Sequence, residues 1–173
     1  MAQPQALELS RKEVGRLPRN ADLEAALDKA IAVTAIQFSA LRDYDKELGT
    51  ALSLCGRPVL VLMSEGDQPL LPLPAFVSRH DPSDREPGFV LTLQDRAIVA
   101  WTEGTLRLRY FAQVIPYSSV RAATYQLLTG RHSGIVQVEA DDVWTFRIRT
   151  MFKDQSIIQA MTNSFLANTG AHG

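Results

Sequence analysis

The residues best equipped for chemistry in this chain are arginines, two pairs of which occupy alternate positions in runs that read as strands. T-L-R-L-R-Y-F places Arg107 and Arg109 on one strand face, opposite Leu106, Leu108 and Tyr110, because successive side chains point to opposite sides. W-T-F-R-I-R does the same for Arg147 and Arg149, opposite Trp144, Phe146 and Ile148. The planar guanidinium fork suits carboxylate and phosphate. Extended by Arg121 and Arg131, the two pairs form a candidate surface for an anion, an acidic partner or a membrane headgroup. The plainer reading is a set of solvated faces, paired with carboxylates such as Glu103 or Glu139 and keeping sheet edges apart.

Other chemistry is thinner. His80, His132 and His172 fall in loop or tail sequence without ligand-spaced partners, so no metal site is expected. G-R-H-S-G at 130–134 sets a serine beside a histidine but lacks the spacing and strand-to-helix context of a nucleophile elbow, and reads as a hairpin loop. Asp141 and Asp142 are adjacent and suit a turn. No glycine-rich phosphate loop is present, and neither an enzyme nor a cofactor is expected. The single Cys55 excludes an internal disulfide and suits a reducing cytoplasm. Trp101, Tyr110, Trp144 and Phe146 take the apolar parity of their strands, which argues against a nucleic-acid stacking platform.

The elements that must hold these residues follow from composition and period. The 173 residues, 46% apolar and 21% charged with net charge −1, describe an ordinary globular chain with no global drive toward polyanions. Residues 1–19 read as a flexible tail, with room for a turn or two of helix. Asn20 reads as an N-cap, opening a helical segment over 20–56 that Gly49 could break and that Cys55-Gly56-Arg57-Pro58 stops. Unbroken, it would be roughly 50 Å long at about 1.5 Å per residue. Its stripe of Leu27, Ile31, Phe38, Leu41 and Leu48 is a candidate helix interface, packing on its own domain or on a second copy or partner. Val33, Ile36 and Ala40 give a second apolar edge.

Beyond Pro58 the period becomes two. Val59–Ser64 reads as a short strand, and residues 66–87 as a long proline-rich loop packed on the domain or over a sheet edge. Strands follow at Gly88–Leu93, Ala97–Thr102, Thr105–Phe111, Val120–Leu127, Ile135–Glu139 and Val143–Thr150. Pro116 ends one of them, Ser118 and Ser119 turn the chain, and Tyr117 is placed to anchor the corner. Asp154 caps a final helix with Ile157, Ile158, Met161, Phe165 and Leu166 on one face.

The run G-F-V-L-T-L-Q-D-R-A-I-V-A-W (88–101), then I-P-Y-S-S-V (115–120), then I-V-Q-V and W-T-F-R-I before a helix, resembles bacterial pleckstrin-homology-like (PH-like) domains. Those carry a G-x-L-x-L-T-x-x-R-L hairpin and an I-P-Y-x-x-I turn between two sheets. The resemblance covers about 59 to 168. It implies an α+β, mainly β fold: a split barrel of about seven antiparallel strands in two near-orthogonal sheets, capped by the C-terminal helix. The domain would span 57–170 with an insertion at 66–87. Phosphoinositide-binding members carry a basic loop between the first two strands. Here Arg79, His80 and Arg85 are offset by Asp81, Asp84 and Glu86, so a headgroup site does not carry over. The expectation is a non-catalytic, cytoplasmic interaction or scaffold module that contacts a protein partner or itself, with anion or membrane-headgroup recognition by the arginines as the alternative.

Overall fold

Leu7–Ser10 (β1) joins a sheet edge, and the next turn, Arg11–Gly15 (α1), is closed by a capping box. Glu13 N–H donates to Ser10 Oγ at 3.2 Å, and Ser10 N–H donates to Glu13 Oε1 at 3.0 Å. These residues were expected to be a tail; β1 instead pairs antiparallel with a later strand. The computed structural model describes residues 6–37, 44–81, 85–128, 133–149 and 156–167. Asp154 and the 130–132 part of the G-R-H-S-G loop lie outside them.

Two helices follow, Ala21–Gln37 (α2) and Tyr44–Leu62 (α3). Asn20 caps α2 as its sequence implies, accepting from the backbone N–H of Asp22 and Leu23 at 3.1 and 3.2 Å. The expected stop at Pro58 is wrong: Pro58 lies inside α3, and Val59–Leu62 continue the helix instead of starting a strand. A proline forfeits one helical hydrogen bond. Packing offsets it, since Cys55, Val59 and Met63 form one buried face against the sheet. Nor is the helix broken at Gly49, which sits exposed within α3.

The largest correction concerns 66–87. Leu71–Arg79 (β2) is an internal strand between Glu86–Thr92 (β3) and Val143–Arg149 (β8). Its prolines are tolerated because β2 meets β8 only over Phe76–Arg79. Pro72 and Pro74 lie in the half with β3 as sole neighbour, where every second N–H faces away from the partner. The Tyr44 hydroxyl donates to the Pro72 carbonyl at 2.9 Å, tying the start of α3 to this half-strand.

Arg96–Glu103 (β4), Arg109–Pro116 (β5), Ala122–Leu128 (β6) and Ser133–Glu139 (β7) complete one antiparallel sheet ordered β1-β5-β4-β3-β2-β8-β7-β6. The chain is thus α+β and mainly β, with eight strands among the described residues that do not close into a barrel. β5 begins at Arg109, not Thr105, because Gly104 turns the chain with φ of 95°, and a Cβ there would stand 2.5 Å from the Arg107 carbonyl.

From Phe89 through Thr92 and from Ala97 through Trp101, β3 and β4 are buried on both faces, which hides the alternation of a half-exposed strand. α3 covers one face of this half, contacting β2, β3, β4 and β5. Against the other face folds the β8-β7-β6 half: Trp101 of β4 meets Trp144 of β8 edge-on at 5.5 Å, although the strands are not neighbours. Ser156–Leu166 (α4) packs on β6 and β7, burying Ile157, Ile158, Met161 and Phe165 as expected; Leu166 is partly buried.

Pro116 ends β5 and leads into the 3-10 turn Tyr117–Ser119. Tyr117 is buried, its ring edge-on to Phe165 at 5.8 Å and its hydroxyl donating to the Leu93 carbonyl at 2.7 Å. Burial pushes its phenol above the usual value, so it stays a donor. Tyr117→Phe is expected to cost about 1–2 kcal/mol by leaving that carbonyl unpaired. A shifted urea midpoint with unchanged slope is the measurement, and an unshifted midpoint would remove the corner from the account.

Candidate functional site

The sheet order separates the arginines that the sequence suggested as one surface. Arg109 opens β5 near one edge and pairs with Glu8 of β1 at 3.0 Å. Arg107 is not on a strand but in the exposed β4–β5 connection, where Leu106, expected on an apolar face, is 99% exposed. Arg121 precedes β6 at the Glu139 end of the β6–β7 pair, opposite the Ser133–Arg149 end. Arg131 lies outside the described residues. Of the described ones, Arg147 and Arg149 stay together, on one face of β8 with Trp144, Phe146 and Ile148 buried behind them.

What joins them was not anticipated. β2 leaves β8 beyond Phe76↔Arg147, and the sheet splays. The wedge holds a cavity of about 380 Å³ lined by Phe76, Arg85, Ser133, Arg147 and Arg149. Beside it lies a smaller slot of about 130 Å³ beneath α3, walled by Leu54, Pro74, Ala75 and Pro87 among others, and sharing Phe76, Arg147 and Arg149 with the wedge. Glu47 of α3 reaches across to Arg149 at 2.9 Å. Ser133 faces Arg149 in register, and its buried hydroxyl is the one buried side-chain polar atom without a hydrogen-bond partner among the described residues.

The helix stripe resolves differently. Leu27 and Leu48 are buried in the chain's own core and Ile31 is partly buried against it, while Phe38 and Leu41 lie outside the described residues. The second apolar edge is the exposed one: Val33 is 52% and Ile36 82% exposed. Ala26, Ala30 and Val33 recur at helical spacing along one wall of an open groove of about 650 Å³. Its other walls are Pro69, Leu70 and Leu71 before and at the start of β2, and Ala160 and Ser164 of α4.

Asp67 fixes that segment. Its carboxylate accepts from Arg96 Nη2 at 2.6 Å, Arg96 Nη1 at 3.1 Å and Ser64 N–H at 2.6 Å. Burial opposes its charge, but these donors outweigh burial and hold the carboxyl below the usual aspartate range.

Elsewhere, His80 Nε2 lies 3.1 Å from Asp142, which also accepts from Gln113 at 3.3 Å; Gln113 in turn accepts from Arg79, whose guanidinium lies over Trp101. This network is at the β2–β8 ladder end and binds the turn of Asp141 and Asp142 to the sheet. Cys55 is buried, and burial pushes its thiol up to about 12, so it is an inert core residue. Among the described residues no group of three or more His, Cys, Asp or Glu could hold a metal ion, and no helix is long and apolar enough to cross a membrane. The chain matches no protein-family model and no curated protein.

Proposed function

We propose that this protein is a non-catalytic interaction module of PH-like architecture that docks a protein segment in the groove between α2, α4 and the lead-in to β2. The architecture is supported by two meanders, β2–β5 and β6–β8, joined where β2 pairs with β8, and by α4 packed over the β6–β7 side. Docking rests on the groove itself: Val33 and Leu70, both about half exposed, face a concavity whose floor is anchored by the Asp67–Arg96 pair. A preformed concavity with an apolar stripe, flanked by Lys29, Gln37 and Gln68 and beside exposed branched side chains, suits an amphipathic helix or strand of a partner, or of a second copy. The buried, unpaired Cys55 fits a cytoplasmic setting.

A photo-reactive benzoylphenylalanine placed at Val33 or Leu70 in the full chain, and irradiated in the cells that make it, tests this reading. The expected result is a discrete adduct, at the mass of two chains for a second copy and at another mass for a different protein. The same probe at Leu106, exposed at the opposite end of β4, should give none. No adduct from Val33 or Leu70, or the same adducts from Leu106, contradicts the proposal.

A further inference from the structure

We propose that the wedge between β2 and β8 binds a phosphate-type anion carrying a short apolar group, with Arg85, Arg147, Arg149 and Ser133 taking the head and the slot beneath α3 taking the apolar part. This surface is separate from the α2–α4 groove, and its test does not depend on that reading.

Three observations converge. The first is charge: three guanidinium groups from two segments line one cavity, and among the described residues walling the wedge and slot Glu47 is the one carboxylate. Glu47 already spans to Arg149, a carboxylate standing where an incoming anion would compete. The second is the orphaned hydroxyl. Ser133 is 5% exposed and its Oγ has no partner, which costs free energy unless something fills the cavity it lines. The third is the adjoining slot, walled mainly by Leu54, Pro74, Ala75 and Pro87, with Glu47 and Thr50 of α3 at its helix side, which suits a short apolar group. Geometry favours phosphate over carboxylate as the head. A carboxylate is satisfied by one guanidinium fork, whereas donors arriving from ahead of β3, from β7 and from β8 call for more acceptor oxygens at diverging angles.

The test is calorimetric titration of the full chain, at low salt, with inorganic phosphate, with dihexanoyl phosphatidic acid, and with phosphatidylcholine vesicles doped with phosphatidic acid. Saturable binding of the soluble lipid, tighter than that of phosphate, is expected. Vesicle binding in addition identifies a membrane source, and its absence a free amphiphile. Arg147→Gln should weaken binding about tenfold or more, the loss expected for a charge-assisted contact. Glu47→Gln should tighten it by freeing Arg149.

Ser133→Ala separates a ligand role from a structural one. If the hydroxyl waits for a ligand, alanine leaves the unliganded protein's thermal midpoint unchanged or raised while weakening binding. A lowered midpoint with unchanged binding makes Ser133 merely structural and overturns its role. No saturable binding of any probe at low salt, or binding indifferent to Arg147→Gln, overturns the site.

Discussion

Gly88→Ala should cost about 3 kcal/mol, a large share of a typical domain's stability, although alanine normally strengthens a strand by roughly 0.5–1 kcal/mol over glycine. Gly88 lies in β3 between Ala75 of β2 and Trp101 of β4. A Cβ there would stand 2.4 Å from the Ala100 carbonyl oxygen, 2.8 Å from Val77 Cγ2 and 3.2 Å from Trp101 Cβ. The carbonyl belongs to β4's backbone and cannot rotate aside, so the β3–β4 pairing must open. Gly49→Ala is the matched control. Gly49 is exposed within α3, and a Cβ there meets nothing within 4 Å. That substitution should stabilise by about 0.5–1 kcal/mol through helix propensity alone. Urea midpoints measure both, and equal shifts, or shifts of the same sign, would contradict the packing of β3 and the continuity of α3.

Asp67→Asn should cost about 2–3 kcal/mol. Asp67 is 6% and Arg96 17% exposed, and removing one partner of a buried pair strands the other charge. The loss falls below the roughly 3–5 kcal/mol of a fully buried pair because Arg96 is only partly buried and Asp95 still contacts it at 2.8 Å. The effect carries a pH signature. The folded carboxyl titrates below its ordinary value of 3.8, so its contribution is complete above that pH and is lost as pH falls through the lower folded value. The stability gap between wild type and Asp67→Asn should therefore be constant near neutrality and close in acid. Urea midpoints across that range report it, and a gap that persists to the lowest pH would assign the loss to something other than the charge. Because Asp67 also holds the lead-in to β2, the variant should weaken docking in the α2–α4 groove as well.

These two sites also mark what the sequence makes legible. The strands around Gly88 were readable because Q-D-R makes a tight turn between two apolar runs, and the Tyr117 corner because proline and serines interrupt a strand beside an aromatic residue. β2 was not. Leu71, Leu73, Ala75 and Val77 alternate as a strand should, but Pro72 and Pro74 mask the pattern, and their tolerance depends on where β8 lies, a non-local fact. α3 was misread for the same reason: Pro58 is a stop signal locally, and only burial of Val59 and Met63 against the sheet overrides it. The candidate site suffered most. Arg147 and Arg149 were found by parity, but Arg85 was discounted because neighbouring acids cancel it along the chain, and Ser133 has no local signature. What unites the four is the splay between β2 and β8, a property of register rather than composition.

Both proposed surfaces stand on β2 being an internal strand, paired on one side with β3 and on the other with β8. The direct measurement is a Phe76→Cys/Arg147→Cys pair in a Cys55→Ser background. These two positions face each other across β2 and β8, and cross-strand Cα separations of about 4.5–5.5 Å lie within disulfide range. Mild oxidation should close an intramolecular disulfide, read as loss of both free thiols in the monomer and a urea midpoint that falls on adding reductant. Two thiols that stay free under oxidant, with a midpoint indifferent to reductant, would leave residues 66–87 as a loop and remove the wedge and the groove together.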